Sequence, residues 1–67
     1  MTSLEICAIL ERHGFFAIRD QGNHRIMQQR TFQTTITIPI PLNAPLRRAT
    51  LQCIIRQSAL PEDVFQS

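Results

Sequence analysis

The residues able to do chemistry in this chain are few, and His24 stands out among them. It follows a glycine turn in "RDQGNHRIMQQR" and has Arg19, Arg25 and Arg30 around it in sequence. An imidazole exchanges protons at cellular pH. Guanidinium forks suit phosphate oxygens and stack on bases. Together they point to proton transfer beside a bound phosphate. The rest of the inventory narrows the field. No Ser-His-Asp set has suitable spacing, and no carboxylate pair occupies the middle of the chain. Cys7, His13, His24 and Cys53 show neither Cys-x-x-Cys nor His-x-x-x-His spacing, so no metal site is expected. Gly14 and Gly22 are the only glycines, which excludes a glycine-rich phosphate loop. His13, at the end of a helical stretch, meets the negative end of the helix dipole and has a structural account.

The charge layout supports an anionic partner. Net charge is only +2, and all seven basic residues are arginine. No acid occurs between Asp20 and Glu62, a tract that holds Arg25, Arg30, Arg47, Arg48 and Arg56. Such a tract suits nucleic acid. If the ligand is RNA, its own 2′-hydroxyl supplies the nucleophile. His24 then need only move a proton, while arginines and backbone N–H groups steady the charge on phosphorus. No cofactor is required.

The elements that must position these groups follow from pattern. In "TSLEICAILERHG", Thr2 with Glu5 three residues on is a capping box. Ile6, Cys7, Ile9 and Leu10 make an apolar helix face, and Gly14 is a natural stop. "FFAIRD" reads as a strand, "DQGN" as a turn with Gly22 at positive φ, and "HRIMQQR" as a returning strand. In "TITIPIP", Ile36, Ile38 and Ile40 alternate with Thr35, Thr37 and Pro39, as in a half-buried strand. Pro39 and Pro41 assign it to a sheet edge. "RRATLQCIIRQSAL" is a second helix burying Leu51, Ile54 and Ile55. It is entered through Asn43 and Pro45 or nearer Ala49, and Pro61 closes it. "PEDVF" adds a turn that tucks Phe65 against the core. The expected architecture is α+β, order α-β-β-β-α, with three antiparallel strands covered on one face by two helices.

With 67 residues, of which 43% are hydrophobic, the chain makes one small folded domain, residues 1–67. No apolar run spans a membrane, and "MTSLEICAIL" lacks a basic leader. A cytoplasmic protein is expected, with Cys7 and Cys53 as reduced, buried thiols.

"GFFAIRDQGNHRIMQQR" resembles the HicA toxin pattern of Gly-aromatic, then Arg, then Gly-Ser-His entering a strand. The resemblance continues through "TTITIPIP" and "LRRATLQCIIRQSALPEDVF". It implies a double-stranded-RNA-binding-domain-like αβββα fold and a toxin of a bacterial toxin–antitoxin pair. Such a toxin is a metal-independent endoribonuclease that cleaves mRNA without the ribosome and is blocked by a HicB antitoxin. The family's catalytic histidine falls on His24 and its turn glycine on Gly22, while Asn23 replaces the usual serine. Arg19, Gly22, Asn23, Arg25, Arg30, Arg47 and Arg48 are the expected RNA-binding residues. Two departures point to weakened activity: Asn43 stands where the family often has a second histidine, and Ala49 where it has a glycine before Thr50. The alternatives are a non-catalytic RNA-binding module and a protein-interaction domain for an antitoxin.

Overall fold

A computed structural model of the chain describes residues 1–42 and 45–66. Its elements are α1 (Ser3–Arg12), β1 (Phe16–Gln21), β2 (His24–Arg30), β3 (Thr35–Pro41) and α2 (Arg48–Ser58), followed by a 3₁₀ turn over Glu62–Phe65. The α-β-β-β-α order is the expected one.

Helix α1 forms where its caps require. The Thr2 hydroxyl accepts from the Glu5 N–H at 3.2 Å, and the Glu5 carboxylate accepts from the Thr2 N–H at 2.8 Å. The hydrogen bond from the Thr2 backbone holds the Glu5 carboxyl below its usual range. At the far end the Phe15 N–H donates to the Leu10 carbonyl (3.0 Å) and the Gly14 N–H to the Glu11 carbonyl (3.3 Å). These two bonds make a Schellman motif, with Gly14 at φ +95° as its C′ residue. Phe15, the next residue, is thereby turned into the core.

The three strands form one antiparallel sheet in the order β1-β2-β3, so β3 is an edge, as its prolines required. The β2–β3 register is regular and pairs Met27 with Ile38 and Arg25 with Ile40. The β1–β2 register is not. Ala17 pairs with Met27 but Arg19 pairs with Ile26, so Ile18 is an extra residue in a β-bulge.

Both helices cover one face of the sheet. Ile6, Cys7, Ile9 and Leu10 of α1 and Ile54 of α2 meet Met27, Ile38 and Ile40, and Phe15 and Phe65 close the cluster. Leu51 and Ile55 are half-buried at its margin. Ile26 is buried yet stands outside this cluster, because it lies on the opposite, uncovered face. Cys53 departs from expectation. It is exposed, since the buried stripe of α2 is narrow and position 53 falls outside it; only Cys7 is a buried thiol. Helix α2 ends at Ser58, before the expected "AL". Ala59 takes φ +60° there and the Ser58 hydroxyl accepts from the Leu60 N–H at 3.1 Å. No described helix is long and apolar enough to cross a membrane.

Candidate nucleic-acid interface

The turn that presents His24 has two residues, Gly22 and Asn23, between the closing pair Gln21 and His24. Gly22 has φ +60° while Asn23 does not have positive φ, which matches a type II′ hairpin with glycine first. A Cβ on Gly22 would meet nothing within 4 Å, so backbone conformation alone asks for glycine. The Leu42 N–H donates to the Asn23 carbonyl at 2.7 Å, which pins the turn to the end of β3. His24 thus opens the central strand, exposed, with Gln21 on one side and Pro41 on the other.

Which arginines accompany His24 is decided by the pleat. Along β2, His24, Ile26, Gln28 and Arg30 share the uncovered face, while Arg25, Met27 and Gln29 point to the helices. Gln28 confirms the register by donating from Nε2 to Thr37 Oγ1 at 3.2 Å across that face. The bulge at Ile18 brings Arg19 opposite Ile26, onto the face of His24. Arg19 Nε donates to Gln21 Oε1 at 3.3 Å, a same-face neighbour. As a diagonal neighbour of His24, Arg19 stands about 7–8 Å away, within reach of a long side chain.

Arg25 is placed differently. It pairs with Asp20 on the covered face, Nε to Oδ1 at 2.9 Å and a second guanidinium nitrogen to Oδ2 at 3.3 Å. This hydrogen-bonded pairing holds the Asp20 carboxyl below its usual range and raises the guanidinium. Arg25 also approaches Cys7, whose thiol is pushed up chiefly by burial and pulled down less strongly by that cation. The sequence groups Arg25 with His24, and the fold puts them back to back. Arg30 shares the open face with His24, but six residues of strand separate them, about 20 Å. The two cannot hold the same phosphate.

A further cation stands near the end of β3, at the start of α2. Pro41, the register partner of His24, lines a shallow groove with Pro45, Leu46, Arg47 and Thr50. The Ser3 hydroxyl donates to the Pro41 carbonyl, and the Leu46 N–H donates to the Met1 carbonyl at 3.0 Å. The start of α1, the end of β3 and the approach to α2 therefore converge at the His24 end. Arg47 is the N-cap of α2, makes no capping side-chain bond, and is followed by no acid in the first turn. Two arginines at the positive end of a helix dipole oppose it, whereas an anion there would be stabilised. Arg48 lies over another groove, with Leu51, Gln52 and Phe65. Ala49 sits in the first turn of α2 without positive φ. Asn43 lies outside the described residues. Among the described residues, no three His, Cys, Asp or Glu side chains gather as a metal site would need.

Two residues were overlooked as site candidates in the sequence. Phe16 pairs with Gln28 on the open face and is exposed, and Phe32 projects from the β2–β3 loop. The period-two alternation that buries Phe15 would have turned Phe16 outward.

Compared with known proteins, residues 4–60 match the family model described as the HicA toxin of bacterial toxin–antitoxin systems. No curated protein matches the chain significantly.

Proposed function

The chain belongs to the HicA toxin family of bacterial toxin–antitoxin systems, and from that premise we propose that it is a ribosome-independent endoribonuclease of the cytoplasm, with His24 as its general acid/base. The observation that supports this reading is the placement of His24. It is an exposed imidazole at the mouth of the central strand, on the open face with Arg19, one strand from the groove that carries Arg47. In the proposed reaction, His24 takes the proton of an RNA 2′-hydroxyl. The 2′ oxygen bonds to the adjacent phosphorus, the bond to the 5′ oxygen breaks, that oxygen takes a proton from solvent, and His24 returns to solvent the proton it took. A 2′,3′-cyclic phosphate and a 5′-hydroxyl remain. Arg19 and Arg47 hold the phosphate charge that grows as the new bond forms. The Gly22–Asn23 turn fixes the imidazole, and Arg30 and Arg48 hold the strand further off. Arg25, engaged by Asp20, sustains the site rather than the substrate.

No step in this scheme uses a metal ion. A HicB-like antitoxin is the proposed inhibitor, and all 67 residues act as one domain. Asn43 and Ala49 set activity below that of family members with histidine and glycine there. The test is cleavage of mRNA by purified protein in the presence of a chelator. His24→Ala should lose cleavage by about 100-fold or more while keeping its circular-dichroism spectrum, and only the parent chain should arrest growth on induction. Equal cleavage by both proteins would remove His24 from the mechanism. Salt-dependent RNA binding without cleavage by either would identify a non-catalytic RNA-binding module.

A further inference from the structure

Of the four phenylalanines, two anchor the core and two stand out of it. Phe15 and Phe65 are 3% exposed, whereas Phe16 is 49% exposed and Phe32 is 105% exposed. Phe32 is not on a slack loop. The Thr31 N–H donates to the Thr34 carbonyl at 2.7 Å, and the Thr31 hydroxyl both donates to that carbonyl (2.7 Å) and accepts from the Thr34 N–H (3.0 Å). These bonds clamp the loop ends and hold the ring in solvent, where a bare aromatic gains nothing from folding.

Phe16 lies on the open face with the cations, and Phe32 stands on the loop that follows the far end of that face. From the mouth of β2 to its far end, the open face presents His24, then Arg19 beside Ile26, then Phe16 beside Gln28, then Arg30, with Phe32 two residues beyond. No acid shares this face, since Asp20 is turned to the other side against Arg25. We propose that the uncovered sheet face is a track for single-stranded RNA, in which Phe16 and Phe32 stack on unpaired bases while Arg19 and Arg30 hold phosphates. This deepens the ribonuclease reading and rests on it.

The ribonuclease reading supplies RNA as the occupant, and the exposed rings select its unpaired form. Aromatic rings interleaved with cations along a groove-free sheet are what stacking on successive bases requires. A duplex hides its base faces and would leave both rings idle. Phe16 lies four strand residues from His24, about 13 Å, so it would hold a base a few nucleotides from the cleaved bond. It would therefore influence which bond is presented to the imidazole.

Binding is measured with the full-length His24→Ala chain, so that RNA survives, against an unpaired oligoribonucleotide of about 12 nucleotides and the same sequence as a duplex. The single strand should bind more tightly. Phe16→Ala and Phe32→Ala should each weaken single-strand binding by about 5- to 150-fold and leave duplex binding unchanged. Phe32→Tyr should retain affinity. The chain has no tryptophan, so Phe32→Trp gives a lone fluorophore that the single strand should quench and the duplex should not. Duplex preference, or phenylalanine variants that bind the single strand as the parent does, would overturn the track and leave the ribonuclease reading standing; the rings would then belong to a protein surface. Failure of the parent to bind either RNA would overturn both.

Discussion

Replacing Arg19 and, separately, Arg25 with glutamine separates two residues that the sequence presents as equivalents. Arg19 lies on the open face near His24, and its one described side-chain partner is the neutral Gln21. If it neutralises one phosphate of a single strand, its loss should flatten the slope of log affinity against log salt by about 0.7. Across a fourfold rise in salt, the parent should then lose about 2.6-fold more affinity than Arg19→Gln. Folding stability should stay within about 0.5 kcal/mol, because the side chain is exposed and holds no ion pair. Arg25 should behave in the opposite way. Its guanidinium is occupied by Asp20 on the covered face, so Arg25→Gln should leave the salt slope of RNA binding unchanged and lower the denaturation midpoint. The sign of the pH dependence follows from Asp20. Its carboxyl is held below its usual range, so the stabilisation is present above about pH 4 and disappears as pH falls through the depressed value. The stability gap between parent and Arg25→Gln should therefore narrow on acidification below about pH 4. Urea titrations followed by circular dichroism, at neutral pH and at steps into acid, give the gap. Filter binding at several salt concentrations gives the slopes. Equal slope changes in the two variants, or a stability gap that ignores pH, would refute the assignment of the two arginines to opposite faces.

The two alanine–glycine exchanges at helix ends should act in opposite directions. Gly14 has φ +95°, beyond the small left-handed region open to other residues, and a Cβ there would strike the Gln29 amide that donates to the His13 carbonyl at 3.1 Å. Gly14→Ala should cost about 1–2 kcal/mol in backbone strain and about 1 kcal/mol for the displaced hydrogen bond; a loss under about 0.5 kcal/mol in urea unfolding would contradict this. Ala59 is the reverse case, an alanine at φ +60° closing α2. Ala59→Gly should add about 1 kcal/mol and raise the melting temperature by about 4–8 °C; no rise on calorimetry would count against strain at this cap.

What the sequence revealed and what it concealed divide along the line between local and non-local causes. The capping box at Thr2 and Glu5, the stop at Gly14 and the turn at Gly22 each depend on a few neighbouring residues. So does the alternation of Ile36, Ile38 and Ile40, and all of these were legible. The left-handed Ala59 was not, because alanine carries no signal for that conformation and the ending of α2 is settled by Ser58 and the packing of Phe65 beyond it. Cys53 is exposed although it lies in an apolar run, because a run does not show which face of a helix its residues occupy. The arrangement of the candidate site was half legible. His24 could be picked out by its turn, but its companions could not, since strand alternation is reversed by any single inserted residue.

Ile18 is that residue. Continuing the register from Ala17 and Met27 without a bulge would set Arg19 opposite Arg25 and Asp20 opposite His24. Two arginines would then face each other on the covered side. A carboxylate would sit beside the imidazole, on the face where phosphate is proposed to bind. With the bulge, Asp20 instead meets Arg25, and Gln21 meets His24. One extra residue in an edge strand thus removes an anion from the histidine and supplies a cation in its place. The acid-free character of the open face is therefore not a matter of composition alone. It depends on a register shift that no short motif around His24 encodes, which is why the arginines nearest in sequence to the histidine are not all its partners in space.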